Sequence, residues 1–312
     1  MNRNPNPTPN PNPQRRPNTP NTPNTPSTPA RPPQRRTAPP QKRTANKKKP
    51  NKTLRLLIVM AVAALLLVGL IIGIGWICGY RYISAETDTG TVKYFGTVTS
   101  DGMLDEGTLY FSNGNRGEVD GKNSIITYSN GDKYVGGVSK LQRSGKGVYT
   151  YANGDKYEGY FEKNMFNGTG KFTYANGDTY EGSYKDGLMD GYGTYTWASG
   201  SSYTGEFKEN KRHGQGILKI SENYYYEGTY ENNAKNGHGK FVFENGDVYE
   251  GDYVNDVRTG NGTYTWPNGE SYTGQFLNNA LHGYGKYTWP SGRVYEGNFY
   301  QGQIVVEGQI NP

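Results

Sequence analysis

Apolar and polar residues alternate along most of the chain, in short stretches that return at a fixed interval. From Tyr180, an aromatic residue or a glycine occupies every second position through Gly182 and Tyr184, with polar residues between them. A period of two residues is the pattern of a β-strand with one apolar face. A second stretch of this kind runs from Gly191 to Trp197. The pattern therefore predicts two strands, each with one aromatic face.

The same pair of strands is repeated every 23 residues. The tyrosine that opens each copy, which we number position 0, recurs without slippage at Tyr134, Tyr157, Tyr180, Tyr203, Tyr226, Tyr249, Tyr272 and Tyr295. A fixed period of this length is the signature of a repeat array. Each copy closes with a turn sequence such as Asn176-Gly177, which is a strong hairpin signal because both residues tolerate positive φ.

Positions 5 to 10, between the two strands of a copy, are mostly polar and variable, which predicts a surface loop. Glycines at positions 2, 11 and 13 share the aromatic face, where a bare backbone leaves room for a ring to lie across it. One hairpin cannot bury its own rings, so we expect stacked neighbours rather than one central core. The predicted fold is all-β, an elongated, twisted single-layer antiparallel sheet of repeated β-hairpins. About twenty strands would span on the order of 90 to 100 Å.

The phrase Tyr-x-Gly-x-aromatic, followed by Gly-x-Gly-x-aromatic-x-aromatic-x-Asn-Gly, resembles the MORN (membrane occupation and recognition nexus) repeat over roughly residues 94–308. The resemblance implies a twisted antiparallel sheet with an aromatic-lined groove. It also implies an association with membranes, with protein partners and with dimer formation, and no activity of the repeats themselves. Some plant lipid kinases carry similar repeats beside a kinase domain, which this sequence lacks.

Residues 94–312 form the predicted repeat domain of about ten copies. A short, degenerate copy occupies residues 117–133, where Gly117 stands in place of the opening tyrosine. Ile220 and Asn223 replace an aromatic residue and the turn glycine, so we expect a local irregularity there. After the last opening tyrosine the pattern fades, and we expect a closing edge of the sheet.

Ahead of the repeats, residues 54–79 are predicted to form a transmembrane helix that serves as a signal-anchor. The 23 residues from Leu56 to Cys78 carry no charge, and at 1.5 Å each they make roughly 34 Å, enough to cross a ~30 Å hydrocarbon layer. This run is longer than the ~7 to 15 apolar residues of a cleaved signal peptide. Residues 80–93 are expected to be a short polar connector.

The N-terminal tail, residues 1–53, is predicted to be disordered, because it holds fifteen of the 18 prolines among Asn and Thr. Thirteen Lys and Arg precede the helix, whereas Arg81 alone lies close behind it. The positive-inside rule then places the tail in the cytoplasm and the repeats outside. The net charge of +6 splits into +13 for residues 1–55 and −7 for the rest, from 21 basic and 28 acidic residues. Nucleic-acid binding by the repeats is accordingly not expected.

The single cysteine, Cys78, lies at the outer end of the helix, so the repeat domain has no disulfide. An exported domain without disulfides favours a bacterial plasma membrane, and is more typical of Gram-positive bacteria than of an animal cell surface. In the helix, the spacing of Gly69 and Gly73 fits the small-xxx-small pattern of paired helices. This spacing leaves a dimer open as one form of partnership.

Neither a metal site nor a catalytic site is predicted. His213 and His282 are three repeats apart, or about 29 Å at two strands per repeat, which is too far for the ligands of one zinc ion. Glutamates at position 1 recur from copy to copy, as in Glu158 and Glu181. Such a row is typical of a solvated face rather than of the one special carboxylate pair of a glycosidase. We therefore expect no cofactor, no metal and no enzymatic activity.

The aromatic row is the candidate binding groove, because a one-layer sheet has no helix to cover it and large apolar patches mark interaction sites. Its rings either bury one another or also receive a partner. The predicted function is a non-enzymatic, membrane-anchored protein-binding or scaffolding surface. The alternatives are a cell-envelope carbohydrate binder and a lipid-contacting membrane tether. The candidate groove residues are Tyr180, Tyr184, Tyr195, Trp197, Tyr203, Phe207, Tyr264, Trp266, Tyr272, Phe276, Tyr287 and Trp289.

Overall fold

The structure is a computed structural model that describes residues 52–306. The predicted N-terminal tail up to residue 51 lies outside the described residues, and so do residues 307–312. Within the described range the chain forms one helix, α1 (Lys52–Ile77), followed by strands that all belong to one sheet.

Helix α1 is the one helix in residues 52–306 that is long and apolar enough to cross a membrane by its length and composition. The uncharged part, Leu56–Ile77, has 22 residues, and at 1.5 Å per residue it measures about 33 Å. Its apolar side chains are exposed along this length. The helix is therefore compatible with membrane association.

The sheet is a meander in which each strand pairs antiparallel with the next one in the chain. At about 4.8 Å per strand spacing it extends for roughly 100 Å, which confirms the predicted single sheet of hairpins. The strands are β1 (Tyr80–Thr87), β2 (Gly90–Val98), β3 (Leu104–Phe111), β4 (Arg116–Asp120), β5 (Ile125–Tyr128), β6 (Lys133–Ser139), β7 (Gln142–Thr150), β8 (Lys156–Glu162), β9 (Met165–Thr173), β10 (Thr179–Lys185), β11 (Leu188–Thr196), β12 (Ser202–Lys208), β13 (Lys211–Ser221), β14 (Tyr224–Glu231), β15 (Ala234–Val242), β16 (Val248–Val254), β17 (Val257–Thr265), β18 (Ser271–Leu277), β19 (Ala280–Thr288), β20 (Val294–Tyr300) and β21 (Gln303–Ile304).

The turn inside each copy is shorter than the sequence suggests. Only positions 6 and 7 leave the strands, as at Glu209 (φ 49°) and Asn210 (φ 67°), and the second strand begins at position 8 with Lys211. Two consecutive residues with positive φ make the type I′ turn that suits the twist of a hairpin. The predicted loop over positions 5 to 10 is therefore too long, because polar residues on the solvent side of a strand resemble a loop in the sequence.

The turn between copies uses its Asn-Gly pair differently from the prediction. Gly177 has a φ of 94°, but Asn176 is not among the residues with positive φ. The N–H of Gly177 donates to the carbonyl of Tyr174 at 2.9 Å, as in a type I turn followed by a left-handed glycine. Asn176 acts through its side chain, since its Oδ1 accepts a hydrogen bond from the N–H of Asp178 at 3.0 Å.

The sheet begins earlier than the first predicted copy. The predicted connector over residues 80–93 is wrong, because these residues form β1 and the start of β2. Ile83 and Ala85 of β1 lie opposite Tyr94 and Val92 and pack against the core. Period-two alternation with aliphatic residues rather than rings makes this first strand hard to recognise as part of the array.

The irregular copies behave as their sequences suggest. Residues 117–133 make a shortened hairpin of β4 and β5, in which the buried Ile126 packs close to Gly117. In β13 the register shifts between Lys219 and Ser221, which confirms the irregularity expected around Ile220. At the other end, the two-residue β21 pairs with β20 and ends the described sheet.

Candidate binding surfaces

Eight opening tyrosines, from Tyr94 of the first copy to Tyr272, form the core of the sheet, and we call them the inner row. Tyr180 is 0% exposed, and its ring lies over Gly182 and Gly193, which pair directly across β10 and β11. A Cβ added at Gly182 would lie 2.6 Å from the Tyr180 hydroxyl oxygen, so only glycine leaves room for the ring. This confirms the predicted ring over bare backbone. The inner row is Tyr94, Tyr134, Tyr157, Tyr180, Tyr203, Tyr226, Tyr249 and Tyr272.

Each inner-row hydroxyl has a fixed partner. Tyr180 donates to the carbonyl of Ser183 at 3.1 Å, and a register shift between Gly182 and Tyr184 takes Ser183 out of the pairing with β11. A β-bulge therefore supplies the acceptor. The same bond to position 3 recurs in the other copies. Burial raises the pKa of Tyr157 and of Tyr249 to about 12, so these hydroxyls remain protonated donors at neutral pH.

Rings at position 4 seal the inner row. Tyr184 meets Tyr180 and Tyr157 edge-on, each with ring centroids 5.2 Å apart. Phe207 from the next copy meets Tyr180 in the same way at 5.0 Å. Each position-4 ring thus bridges two opening tyrosines, and such edge-to-face pairs contribute about 0.5–1.5 kcal/mol beyond their buried area. The inner row and its position-4 rings are consequently closed to a partner.

Rings at positions 15 and 17 form a second line on the same face, which we call the outer row. Neighbouring centroids are 4.4–6.0 Å apart within two runs. Leu218 and Ile220 replace the rings between the runs. The first run is Phe111, Tyr128, Tyr149, Tyr151, Phe172, Tyr174, Tyr195 and Trp197, and the second is Phe241, Phe243, Tyr264, Trp266, Tyr287 and Trp289.

A carboxylate at position 21 holds the outer row in place. Tyr195 donates to Oδ2 of Asp178 at 2.8 Å, while the N–H of Ala198 in the next turn donates to Oδ1 at 2.8 Å. Burial alone would raise the pKa of Asp178, but these bonds from Ala198 and Tyr195, with one from Asn176, hold it below its usual value. Sequence reasoning missed this link, although aspartate recurs at this position in several copies.

Position 9 supplies the residues that cover the inner row from the side of the two-residue turns. Phe166 stacks on Tyr157 with centroids 3.7 Å apart, whereas Arg212 and Lys235 place cations over Tyr203 and Tyr226 at 5.7 and 5.5 Å. Burial lowers the pKa of Lys235. These cations were also missed, because position 9 falls in the stretch that the sequence pattern assigned to a loop.

The structure divides the twelve predicted groove residues into two groups. Seven are buried: Tyr180, Tyr184, Tyr195, Tyr203, Phe207, Tyr272 and Phe276. The remaining five are half-buried and all belong to the outer row: Trp197, Tyr264, Trp266, Tyr287 and Trp289. The accessible part of the aromatic face therefore lies within the outer row, and the aliphatic gap of that row separates Trp197 from the other four.

The opposite face of the sheet is polar. The position-1 glutamates lie exposed on it, and an open cleft of ≈ 660 Å³ is lined by residues that include His238, Glu250 and Asn261. The Nδ1 atom of His238 is 3.4 Å from an oxygen of Asp252. Residues 52–306 contain no group of three or more His, Cys, Asp and Glu side chains that could hold a metal ion.

Comparison with known families gives a match that extends over much of the chain. The family model for the MORN repeat matches eight consecutive segments, residues 134–156, 157–179, 180–202, 203–221, 226–248, 249–271, 272–292 and 295–310. No curated protein matches the sequence. Each matched segment begins at an opening tyrosine, from Tyr134 to Tyr295, so sequence family and geometry describe the same unit.

Similar solved structures are distant from this chain. The TCP domain of SAS-4 (dCPAP) from Drosophila melanogaster, in complex with a proline-rich motif of Ana2, is 15% identical with a TM-score of 0.32, covering 56% of this chain and 88% of that one. The wild-type TCP10 domain of Danio rerio CPAP is 13% identical with a TM-score of 0.30, covering 69% and 94%. These likenesses carry no functional argument.

The eight matched segments together span more than half of the sequence, and each coincides with one hairpin and its opening tyrosine. The chain belongs to the MORN-repeat family.

Proposed function

We propose that this protein is a non-enzymatic, single-pass membrane protein that displays its sheet outside the cell as a protein-binding or scaffolding surface. The outer row carries the proposal. The inner row already supplies each copy with a buried ring, a satisfied hydroxyl and edge-on neighbours. The outer row adds half-buried tryptophans at Trp197, Trp266 and Trp289. Tryptophan and tyrosine are the residues that dominate the energy of protein interfaces.

The membrane part of the proposal rests on α1 and on the charges before it. Leu56–Ile77 has the length and composition of a spanning helix, and thirteen basic residues precede it. This asymmetry favours a cytoplasmic tail and an external sheet. A non-permeant labelling reagent applied to intact cells, with a tag at Pro312, tests this orientation. Labelling before permeabilisation is expected, and protection until permeabilisation would contradict it.

Site-specific photo-crosslinking tests the binding surface. A photoreactive amino acid at Trp197 is expected to give a discrete protein adduct in intact cells, because this ring is the accessible end of the first run of the outer row. The matched control places the same amino acid at Tyr160, which is exposed on the polar face. Identical adducts from both positions, or none from Trp197, would contradict protein binding by the outer row.

A further inference from the structure

The 23-residue repeats are grouped into a larger unit. Residues 143–211 and residues 212–280, which are offset by three repeats, are identical at 33 of 69 positions. When residues 143–211 are offset by one repeat there are 24 identities, and by two repeats there are 21. The chain therefore contains two copies of a three-repeat block, and each surface feature can be compared between the two.

The two blocks share a line of side chains on the polar face, formed by positions 1 and 14, which we call the polar row. Five of its six residues are identical between blocks, whereas the adjacent line of positions 3 and 12 retains none of its six. Each set of five lies in register on consecutive strands. Patch one is Glu158, Lys171, Glu181, Thr194 and Thr204, and patch two is Glu227, Lys240, Glu250, Thr263 and Thr273.

Sheet stability gives little reason to retain this order of residues. The Nζ atom of Lys171 is 3.6 Å from Oε2 of Glu181, and the two side chains are 48% and 72% exposed. An ion pair of this kind contributes about 0–1 kcal/mol. In both patches the paired threonine hydroxyls are 3.0 Å apart, and each retains capacity for a further bond. The shared row thus presents the same sequence of carboxylate, ammonium and hydroxyl groups to solvent twice.

The cleft on the polar face coincides with patch two. Glu250, Thr263 and Thr273 line it, together with His238 and Asn261, and Gly262 and Gly274 contribute bare backbone. Carboxylate, amide, hydroxyl and imidazole groups around bare backbone suit a ligand that carries many hydroxyls.

Patch one has an aromatic ring beside it where patch two has an amide. Tyr192 occupies the position of Asn261, and the Tyr192 side chain is 63% exposed. An exposed tyrosine offers a flat apolar face with a polar tip, which suits the apolar face of a sugar ring. The position beside each patch therefore differs, while both versions fit the same class of ligand.

We propose that the polar face binds an extended neutral glycan, which lies across the strands and contacts both patches. Equivalent residues of the two patches are six strands apart, or roughly 29 Å. A polymer of identical sugar units presents the same groups along its length, so one chain can meet both patches. Binding at two linked sites strengthens attachment well beyond either site alone. The excess of acidic over basic residues beyond residue 55 disfavours an anionic polymer.

This inference is independent of the proposed protein-binding function, because it uses the opposite face of the sheet. The test is retention of the full chain, in non-ionic detergent, on immobilised cellulose, chitin and mannan, with competition by soluble oligosaccharides from disaccharide to hexasaccharide. We expect retention on at least one of these polysaccharides. We also expect competition to improve steeply with oligosaccharide length, because a short chain cannot contact equivalent residues of both patches, which are six strands apart.

Matched variants locate the site. Glu181→Ala with Thr204→Ala removes groups from patch one, and Glu250→Ala with Thr273→Ala removes the equivalent groups from patch two. Each pair is expected to weaken retention at least tenfold and the combination to abolish it, with unchanged thermal unfolding. The control Trp197→Ala with Trp266→Ala, on the opposite face, should bind glycan as the wild type does.

Three results would overturn the proposal. The first is no retention on any of the three polysaccharides. The second is equal retention by the wild type and by the combined patch variant. The third is loss of retention in the outer-row control alone, which would move glycan binding to the aromatic face. Failure of the photo-crosslinking at Trp197 would leave this proposal standing, so the two can be separated.

Discussion

The inner and outer rows line the same face of one sheet, yet they differ in what remains for a partner. Tyr180 of the inner row is fully buried and donates to a carbonyl of its own strand. Trp197 of the outer row is half-buried, and its neighbour Tyr195 is held by a carboxylate that also ties down the next turn. The comparison shows that the inner row and its position-4 rings close the hairpins, while the half-buried rings of the outer row remain accessible.

The largest expected effect comes from ionising the inner row as a set. Burial raises the pKa of Tyr134, Tyr157 and Tyr249 from 10.0 to about 12. Because the folded pKa lies above the unfolded one, the stabilisation is complete below pH 10 and is lost as pH rises from 10 towards 12. We therefore expect a cooperative loss of the sheet in this window, with circular dichroism and tyrosinate absorbance changing together. Tyrosines that titrate near pH 10 in an intact sheet would contradict a closed inner row.

Truncation of one ring in each row should have the next largest effect on the free energy of unfolding. Tyr180→Ala should lower the free energy of unfolding by about 3–5 kcal/mol, since it empties a fully enclosed ring site. Trp197→Ala should lower the free energy of unfolding by less than half that amount, because part of the Trp197 ring already faces solvent. Urea unfolding of the full chain in detergent measures both. Equal losses would mean that the outer row is also core, and would remove the basis for a binding surface there.

The inner row was predictable because it follows from a period that sequence displays directly. Tyr180 and Gly182 recur with the interval of the array, and their contact depends only on neighbouring strands. Two consecutive strands with one aromatic face leave few other ways to bury the rings. The meander and the ring-over-glycine packing could therefore be predicted from the sequence.

Features that link one copy to the next were not predictable in the same way. Asp178 bonds to Ala198 across 20 residues, and Asn210 accepts a hydrogen bond from the N–H of Met189 across 21 residues. Such bonds depend on how closely successive turns approach, which a sequence period does not specify. The covering role of Arg212 was hidden for the related reason that polar residues in β13 resembled a loop.

The smallest expected change in the free energy of unfolding comes from a substitution on the polar face, which serves as a baseline for substitutions in both aromatic rows. Lys171→Gln removes the polar-face pair with Glu181, whose groups are 3.6 Å apart and largely solvent-exposed. We expect a change of less than about 0.5 kcal/mol in the free energy of unfolding, because exposed pairs contribute little.

This baseline decides how the outer row is interpreted. If Trp197→Ala costs clearly more than Lys171→Gln but clearly less than Tyr180→Ala, then the outer row is partly committed to packing and partly free. If Lys171→Gln and Trp197→Ala cost the same, the outer rings contribute no more to folding than a surface charge does. Their retention in both blocks, as Trp197 and Trp266, would then have to be explained by contact with a partner alone.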